Sequence, residues 1–316
     1  MTSNDIHGAT PGRPDPVSGG PHDRSIVVGT DFTPCSAVAV MQALRIAAIS
    51  GARLRAVHVI DTRVVTDFEA ALSDFQRTVR ASLGDAAAAA WRNFAARIPG
   101  APALPIEFPV TSRIEGVLEQ VRAAKADLLV LGAFGDRRPD VGFGTLATAC
   151  VRRSTSDVLL VRDTQEGAFR TIVAGTDFSE TSLRALHRAA RLAVQEGAEL
   201  HALHLFDAPW LQVDYLALDP AETAAMQAAV RGHHERRLDE VARALSADHP
   251  GLRLRAVCDD SGTHRLGIAD YANRVGADLI VVGTRGRTGL RDLLLGSTAE
   301  RVLAESRCSV LAVRPA

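Results

Sequence analysis

The sequence predicts an α/β protein of two tandem units, each a doubly wound parallel sheet of five strands with a Rossmann-like arrangement. The chain has 316 residues, about the length of two ordinary domains. It also repeats itself, because SIVVGTDFT at 25–33 is matched by TIVAGTDFS at 171–179. Predicted strands such as 278–283 are apolar on consecutive residues, which is typical of parallel strands buried on both faces.

Two further matches fix the extent of the repeat. ADLLVLG at 126–132 corresponds to ADLIVVG at 277–283, and SDVLLVR at 156–162 corresponds to CSVLAVR at 308–314. The predicted organisation is an N-terminal tail, a first unit, a linker and a second unit, at 1–24, 25–162, 163–170 and 171–316. The tail is polar, rich in Pro and Gly and without the apolar segment of a signal peptide, so we expect it to be disordered.

Short apolar runs alternate with longer segments of helical periodicity in both units. In the second unit the pattern predicts strands at 171–176, 199–206, 253–258, 278–283 and 309–314, and helices at 180–196, 220–246, 262–275 and 297–306. The first unit is predicted to follow the same plan. Ser179 is the expected capping residue of the first helix of the second unit, and Thr33, followed by Pro34, has the same role in the first.

Composition excludes several classes of partner. The formal net charge is -1, from 36 basic and 37 acidic residues, so no overall field favours nucleic acid or an anionic membrane. No segment approaches the roughly 20 apolar residues of a membrane span. The cysteines, at 35, 150, 258 and 308, lack the spacing of a zinc site and are expected to be buried free thiols. We therefore expect a cytoplasmic protein.

A glycine-rich loop follows the fourth strand of the second unit. Residues 283–298 contain GTRG, nine residues, and then GST. Glycines let backbone N–H groups approach phosphate oxygens, and the helix start adds unpaired donors and the hydroxyls of Ser297 and Thr298. Arg285 and Arg287 either add charge to this site or are solvated surface residues. Ligands of open parallel sheets bind beyond the carboxyl ends of the strands, so the loop predicts an anion site.

This loop resembles G-x2-G-x9-G-[ST], which ATP-binding members of the universal stress protein family carry after the fourth strand. The resemblance extends to GTDFSE at 175–180, HLFD at 204–207 and CSVL at 308–311. The sequence is thus similar to a tandem universal stress protein with an adenine nucleotide alpha hydrolase-like fold. That resemblance implies ATP or another adenine nucleotide as the ligand, with Mg²⁺ able to accompany it, and a regulatory role in the stress response.

The resemblance also implies a set of binding residues. Asp177 and the backbone of Leu205 are implied to lie near the nucleoside, with Val282 and Gly283 beside the ribose. The complete implied site comprises Gly175, Asp177, Leu205, Val282, Gly283, Gly286, Gly296, Ser297 and Thr298. Each residue type also has a structural explanation, since Asp177 suits a helix cap, Leu205 a core position and Ser297 an N-cap.

The loop of the first unit departs from this pattern. Residues 132–146 contain GAFG, only eight residues, and then GTL, so the loop is one residue short. Asp136 and Asp140 fall inside it and would repel a triphosphate, although Arg137 and Arg138 partly offset them. We expect a degenerate copy and one ATP per chain, and weak nucleotide binding to the first unit stays open.

No residue is nominated as catalytic, since neither loop has the Lys-[ST] ending of a Walker A motif. The preferred hypothesis is a binding module whose partner choice depends on ATP. The first alternative is a slow ATPase or autophosphorylating enzyme, with Ser297, Thr298 or Thr284 as the phosphate acceptor. The second is a nucleotide-free scaffold that contacts other proteins through its long second helices.

Histidines and the last strands give further predictions. His233 and His234 are adjacent within a helix, which points them to different faces and predicts solvated surface residues. His58 and His204 are expected to be core or cleft-edge residues at equivalent positions of the repeat.

The family pairs domains through the last strand, which implies pairing of the strands that end at Arg162 and Arg314 and an internal pseudo-dimer. Protein partners and a homodimer of whole chains stay open.

Overall fold

The structure is a computed structural model that describes residues 23–71, 76–136, 139–206, 220–260, 267–286 and 295–315. Almost all of the predicted disordered tail lies outside these residues. No helix in the described part combines the length and the apolar character needed to cross a membrane.

The first unit alternates strands with helices. Its strands are β1 (Ser25–Gly29), β2 (Arg53–Val57), β3 (Ile60–Asp61), β4 (Ile106–Glu107), β5 (Val110–Thr111), β6 (Leu128–Gly132) and β7 (Asp157–Val161). Its helices are α1 (Pro34–Ser50), α2 (Thr62–Ala71), α3 (Gln76–Ala95), α4 (Arg113–Ala123) and α5 (Thr145–Arg153).

The second unit repeats this alternation, with second and third strands of 8 residues each. Its strands are β8 (Thr171–Gly175), β9 (Glu199–Phe206), β10 (Arg253–Asp260), β11 (Leu279–Gly283) and β12 (Ser309–Val313). Its helices are α6 (Glu180–Glu196), α7 (Pro220–Asp248), α8 (Ile268–Arg274) and α9 (Ser297–Glu305). The predicted strands and helices of this unit are confirmed, and the first six residues of the predicted third helix lie outside the described residues or before α8.

Ten of these twelve strands form one sheet in the order β10-β9-β8-β11-β12-β7-β6-β1-β2-β4. Neighbouring strands are parallel within each unit, and β12 and β7 pair antiparallel, with Leu311 opposite Leu159. The predicted pairing of the last strands is therefore confirmed. In each unit the order reverses beside the first strand, at β8/β11 and at β1/β6, which creates the crevice where ligands of such sheets bind.

The first unit differs from the second in its third strand, so the prediction of an identical plan is wrong there. Where the second unit has the single strand β10, the first has β4 in the main sheet and β5 in a separate two-stranded sheet with β3. Pro109 lies between β4 and β5. Proline has no N–H group to donate to a sheet ladder, which accounts for the interruption.

Both faces of the sheet are covered by helices, and each core extends across the two units. On one face, Ile26 of β1 and Ile172 of β8 belong to a single buried cluster with residues of α1 and α6. On the other, residues of α4, α5, α8 and α9 share a second cluster. The linker adds the fully buried Phe169 to the first cluster. Burial of one such side chain contributes about 1.5–3 kcal/mol, so the linker is part of the fold.

Local signals position the helices that follow the first strands. The Thr33 hydroxyl accepts a hydrogen bond from the Ser36 amide, and the Ser179 hydroxyl accepts one from the Ser182 amide, as predicted. Both helices end at a glycine in the left-handed region, Gly197 in the second unit, where a side chain would be strained. These caps fix where α1 and α6 leave the crevice.

Candidate functional site

The predicted site lies at the carboxyl ends of β9, β8 and β11 and at the first turn of α9. β8 is the central strand, with β9 on one side and β11 on the other. The Thr176 amide, just after β8, donates to the Leu203 carbonyl of β9 at 2.8 Å. The site therefore occupies the crevice where the strand order reverses.

A strained turn after β8 aims Asp177 at the glycine loop. Asp177 Oδ1 accepts hydrogen bonds from the amide and the hydroxyl of Ser179, at 3.0 and 2.6 Å. The next residue, Phe178, has φ 63°, a left-handed conformation that costs a non-glycine residue roughly 1–2 kcal/mol. A Cβ atom placed on Gly286 would lie 3.2 Å from Asp177 Oδ2. Asp177 thus supports the helix cap with one oxygen and faces the loop with the other.

The two ends of the glycine loop are joined. The Gly296 amide donates to the Thr284 carbonyl at 2.9 Å. A Cβ atom on Gly296 would be 3.5 Å from the Gly286 amide nitrogen. Gly286 and Gly296 are therefore neighbours in space, and the close approach of their backbones accounts for glycine at these positions. Residues 287–294, with the predicted Arg287, lie outside the described residues.

No side chain of the described residues caps the first turn of α9. Gly296 is the N-cap residue, in an extended conformation and without a side-chain hydrogen bond to the helix. Ser297 and Thr298 are the exposed first residues of the helix. The alternative of Ser297 as an N-cap is therefore wrong. Amide groups of an uncapped first turn and the positive end of the helix dipole both favour negative charge.

Three predicted residues have a packing role. A Cβ atom on Gly175 would lie 2.4 Å from Ile268 Cδ1 of α8, and one on Gly283 would lie 2.9 Å from Thr181 Cγ2 of α6. Val282 is 2% exposed. At these positions only the backbone is available to a ligand, and the glycines are required for the helices to approach the sheet.

Leu205 lies half-buried on β9, and its neighbour His204 is part of a chain of hydrogen bonds. His204 Nδ1 is 2.8 Å from the Thr176 carbonyl, and His204 Nε2 is 2.9 Å from His234 Nδ1 of α7. A carbonyl only accepts, so His204 donates from Nδ1, and in its neutral form it accepts from His234 at Nε2. The prediction of His234 as a solvated surface residue is wrong, because this contact holds α7 against the edge of the crevice.

Two arginines lie side by side at the ends of β11 and β12. The Thr284 amide donates to the Val313 carbonyl at 2.8 Å, so the following residues of both strands, Arg285 and Arg314, are neighbours. Burial lowers the pKa of Arg314, and the positive charge of Arg285 lowers it further. The carboxylate of Asp157 acts in the opposite direction and raises this pKa. No sequence pattern links these arginines, since the pairing of β11 with β12 brings them together.

The first unit has a cavity of about 830 Å³ at the equivalent position. Asp31, His58, Gly135, Asp136 and Thr145 are among the residues that line it. Its loop keeps the main features of the second unit despite the missing residue. The Gly144 amide donates to the Ala133 carbonyl at 2.8 Å, and a Cβ atom on Gly135 would lie 3.0 Å from Asp31 Oδ2. Asp31 is the counterpart of Asp177 in the second unit, whereas Asp136 is an additional carboxylate at this cavity.

The structure also bears on the alternative of autophosphorylation, in which a hydroxyl near the loop accepts a phosphate. Thr284 is 1% exposed, so its hydroxyl is shielded from a phosphate donor and Thr284 is a poor acceptor. Ser297 and Thr298 stay accessible. Within the described ranges, no group of three or more His, Cys, Asp or Glu side chains is arranged to hold a metal ion.

Comparisons with known proteins agree on one family. The sequence profile of the universal stress protein family matches residues 24–162 and again 168–314. A universal stress protein of Mycobacterium tuberculosis is 25% identical over 312 residues, which cover 94% of this chain and 99% of the relative. One from Methanocaldococcus jannaschii is 32% identical over 152 residues, 47% of this chain and 84% of the relative.

Solved structures show the same fold. A crystal structure of a universal stress protein from Archaeoglobus fulgidus has a TM-score of 0.60 to this chain, at 19% identity. The match covers 92% of this chain and 98% of that protein. The likeness extends over both units and the sheet that joins them.

Proposed function

Since the chain belongs to the universal stress protein family, we propose that it is a regulatory module of the stress response that binds ATP in its second unit. One observation carries this proposal: Asp177, Gly286 and Gly296 meet beside the uncapped first turn of α9. Backbone donors at a helix start and glycines that allow close approach suit phosphate groups. Arg285 adds positive charge beside this turn, since a Cβ atom on Gly296 would lie 3.7 Å from Arg285 Cα.

The crevice suits the rest of a nucleotide as well. Between β8 and β9 it offers backbone groups and the half-buried Leu205, which suit a base and a ribose. Mg²⁺ accompanying the nucleotide would be held mainly by phosphate oxygens, which it prefers over a dedicated protein cage. Partner choice then depends on whether this crevice is occupied.

Calorimetry on nucleotide-stripped full-length protein tests the proposal. Gly286→Asp places a carboxylate beside Asp177 and the phosphates, whereas Gly135→Asp makes the matched change beside Asp31 in the first unit. We expect near-unit stoichiometry for wild-type protein, a loss of about tenfold or more in affinity for Gly286→Asp, and little change for Gly135→Asp. Circular dichroism verifies that both variants are folded.

Other outcomes are equally informative. No ATP binding by folded wild-type protein would overturn the proposal and favour the scaffold. Equal losses in both variants would show two sites instead of one. Mass spectrometry after incubation with Mg·ATP tests the enzyme alternative, since phosphate on Ser297 or Thr298 would identify an autophosphorylating protein.

A further inference from the structure

The loop of the first unit rests on the last helix of the second unit. The Gly142 amide donates to the Ser306 carbonyl, just after α9, at 3.0 Å. Gly142 has φ +81°, and a Cβ atom there would lie 3.0 Å from the Ala304 carbonyl oxygen. Only glycine combines this conformation with so close an approach. Residues 139–144 are thus fitted to the C-terminal turn of α9.

Arg162 joins the same two segments through its side chain. Its Nη2 donates to the carbonyls of Gly142 and Ser306, both at 2.6 Å, and its Nη1 donates to the Pro139 carbonyl at 3.3 Å. The guanidinium lies over the Phe143 ring at 5.0 Å, and the residue is 4% exposed. A buried cation at the C-terminal end of a helix is favoured by the helix dipole and by the terminal carbonyls.

Helix α9 connects this contact to the phosphate site. It is 9 residues long, or about 13 Å at the usual rise of an α-helix. Its first turn begins at Gly296 and Ser297, and its last turn leads to Ser306. Val302 and Leu303 are buried against the sheet between these ends. So short a helix, packed along its length, moves as a unit, because close-packed cores do not deform continuously.

We propose that the phosphate site of the second unit controls the loop of the first unit through α9, with Arg162 as the positioning residue. The identity of the effector rests on the proposed function, whereas the mechanical coupling does not. Phosphate at the first turn shifts α9, and the shift reaches residues 139–144 through Ser306. These residues lead into Gly144 and Thr145, which line the cavity of the first unit. By linkage, loosening the loop also alters the phosphate site.

Hydrogen exchange of the full-length protein, read by mass spectrometry, tests the coupling. Arg162→Met replaces the guanidinium with an apolar side chain and removes the hydrogen bonds to Pro139, Gly142 and Ser306. Arg162→Lys keeps the charge and serves as a milder second variant. The matched control is Arg152→Met, because Arg152 is exposed and forms a surface ion pair with Glu300 of α9, at 3.1 Å.

Without ligand, Arg162→Met should speed exchange by about tenfold in residues 139–146 and also at 296–300, the far end of α9. Arg152→Met should leave both segments as in wild-type protein. Unchanged exchange at 296–300 in both folded Arg162 variants would overturn the coupling, whatever the effector is.

With Mg·ATP, wild-type protein should show slower exchange at 296–300 and at 139–146, and Arg162→Met only at 296–300. If ATP slows exchange in wild-type protein only at 296–300, the coupling is refuted and the ATP site is supported. No protection at 296–300 would instead count against the proposed function, and the ligand-free comparison would still decide the coupling.

Discussion

Thr284 carries a buried hydroxyl just after β11. The residue is 1% exposed, and its Oγ1 has no hydrogen-bond partner among the described residues. Its backbone is satisfied by Val313 and Gly296. A buried hydroxyl without a partner costs about 1–3 kcal/mol. Thr284→Val replaces it with a methyl group of nearly the same shape and should raise the free energy of unfolding by about 1 kcal/mol.

Urea unfolding of ligand-free protein, followed by circular dichroism, measures this change. The matched control is Thr298→Val, at an exposed position in the first turn of α9, which should stay within about 0.5 kcal/mol of wild-type protein. A higher midpoint with an unchanged m-value reports stability alone. If Thr284→Val lowers the free energy of unfolding, the hydroxyl has a partner in solution and the reasoning is refuted.

Two predictions concern titration. Burial raises the pKa of Cys150 and of Cys308 to about 12, so about one thiol in ten thousand is ionised at pH 8. Iodoacetamide should therefore label both cysteines only after the protein is unfolded in urea. Rapid labelling of the folded protein would contradict this prediction. Burial also lowers the pKa values of His187 and His249, whose ring nitrogens are 3.2 Å apart. The unfolded state then binds more protons than the folded state below about pH 6.5, so the free energy of unfolding should be greater at pH 7.5 than at pH 5.5. His187→Gln should reduce the difference between the urea midpoints at these two pH values. An undiminished difference would show that other residues cause it.

The features that sequence could predict depend on local patterns. Short apolar runs and the Gly, Asp and Ser-type residues that interrupt them predict the five strands of the second unit and the bounds of α6. They also predict the caps at Thr33 and Ser179. The contact between His204 and His234 could not be predicted this way. It depends on how α7 packs against β9, and residues 30 positions apart carry no periodic signal of that packing.

In the candidate site, too, the sequence predicts local features but not the contacts made by packing. The spacing of the glycines predicts the loop, and the structure brings Gly286 and Gly296 together beside Asp177. Sequence alone could not separate these glycines from Gly175 and Gly283, whose missing side chains make room for Ile268 and Thr181. The assignment of each residue to base, ribose or phosphate stays a prediction until a ligand is bound.

The two units also differ in the environment of the arginine that follows the last strand. Arg162 is surrounded by carbonyl oxygens, including those of Gly142 and Ser306, and holds its loop against the other unit. Arg314, at the equivalent position, lies near the like charge of Arg285. The charge of Arg162 is therefore met by carbonyl oxygens, whereas Arg314 is subject to the like charge of Arg285 and to the opposite charge of Asp157. The missing loop residue of the first unit leaves its closing hydrogen bond intact, so the loops of the two units close in the same way although the first is one residue shorter.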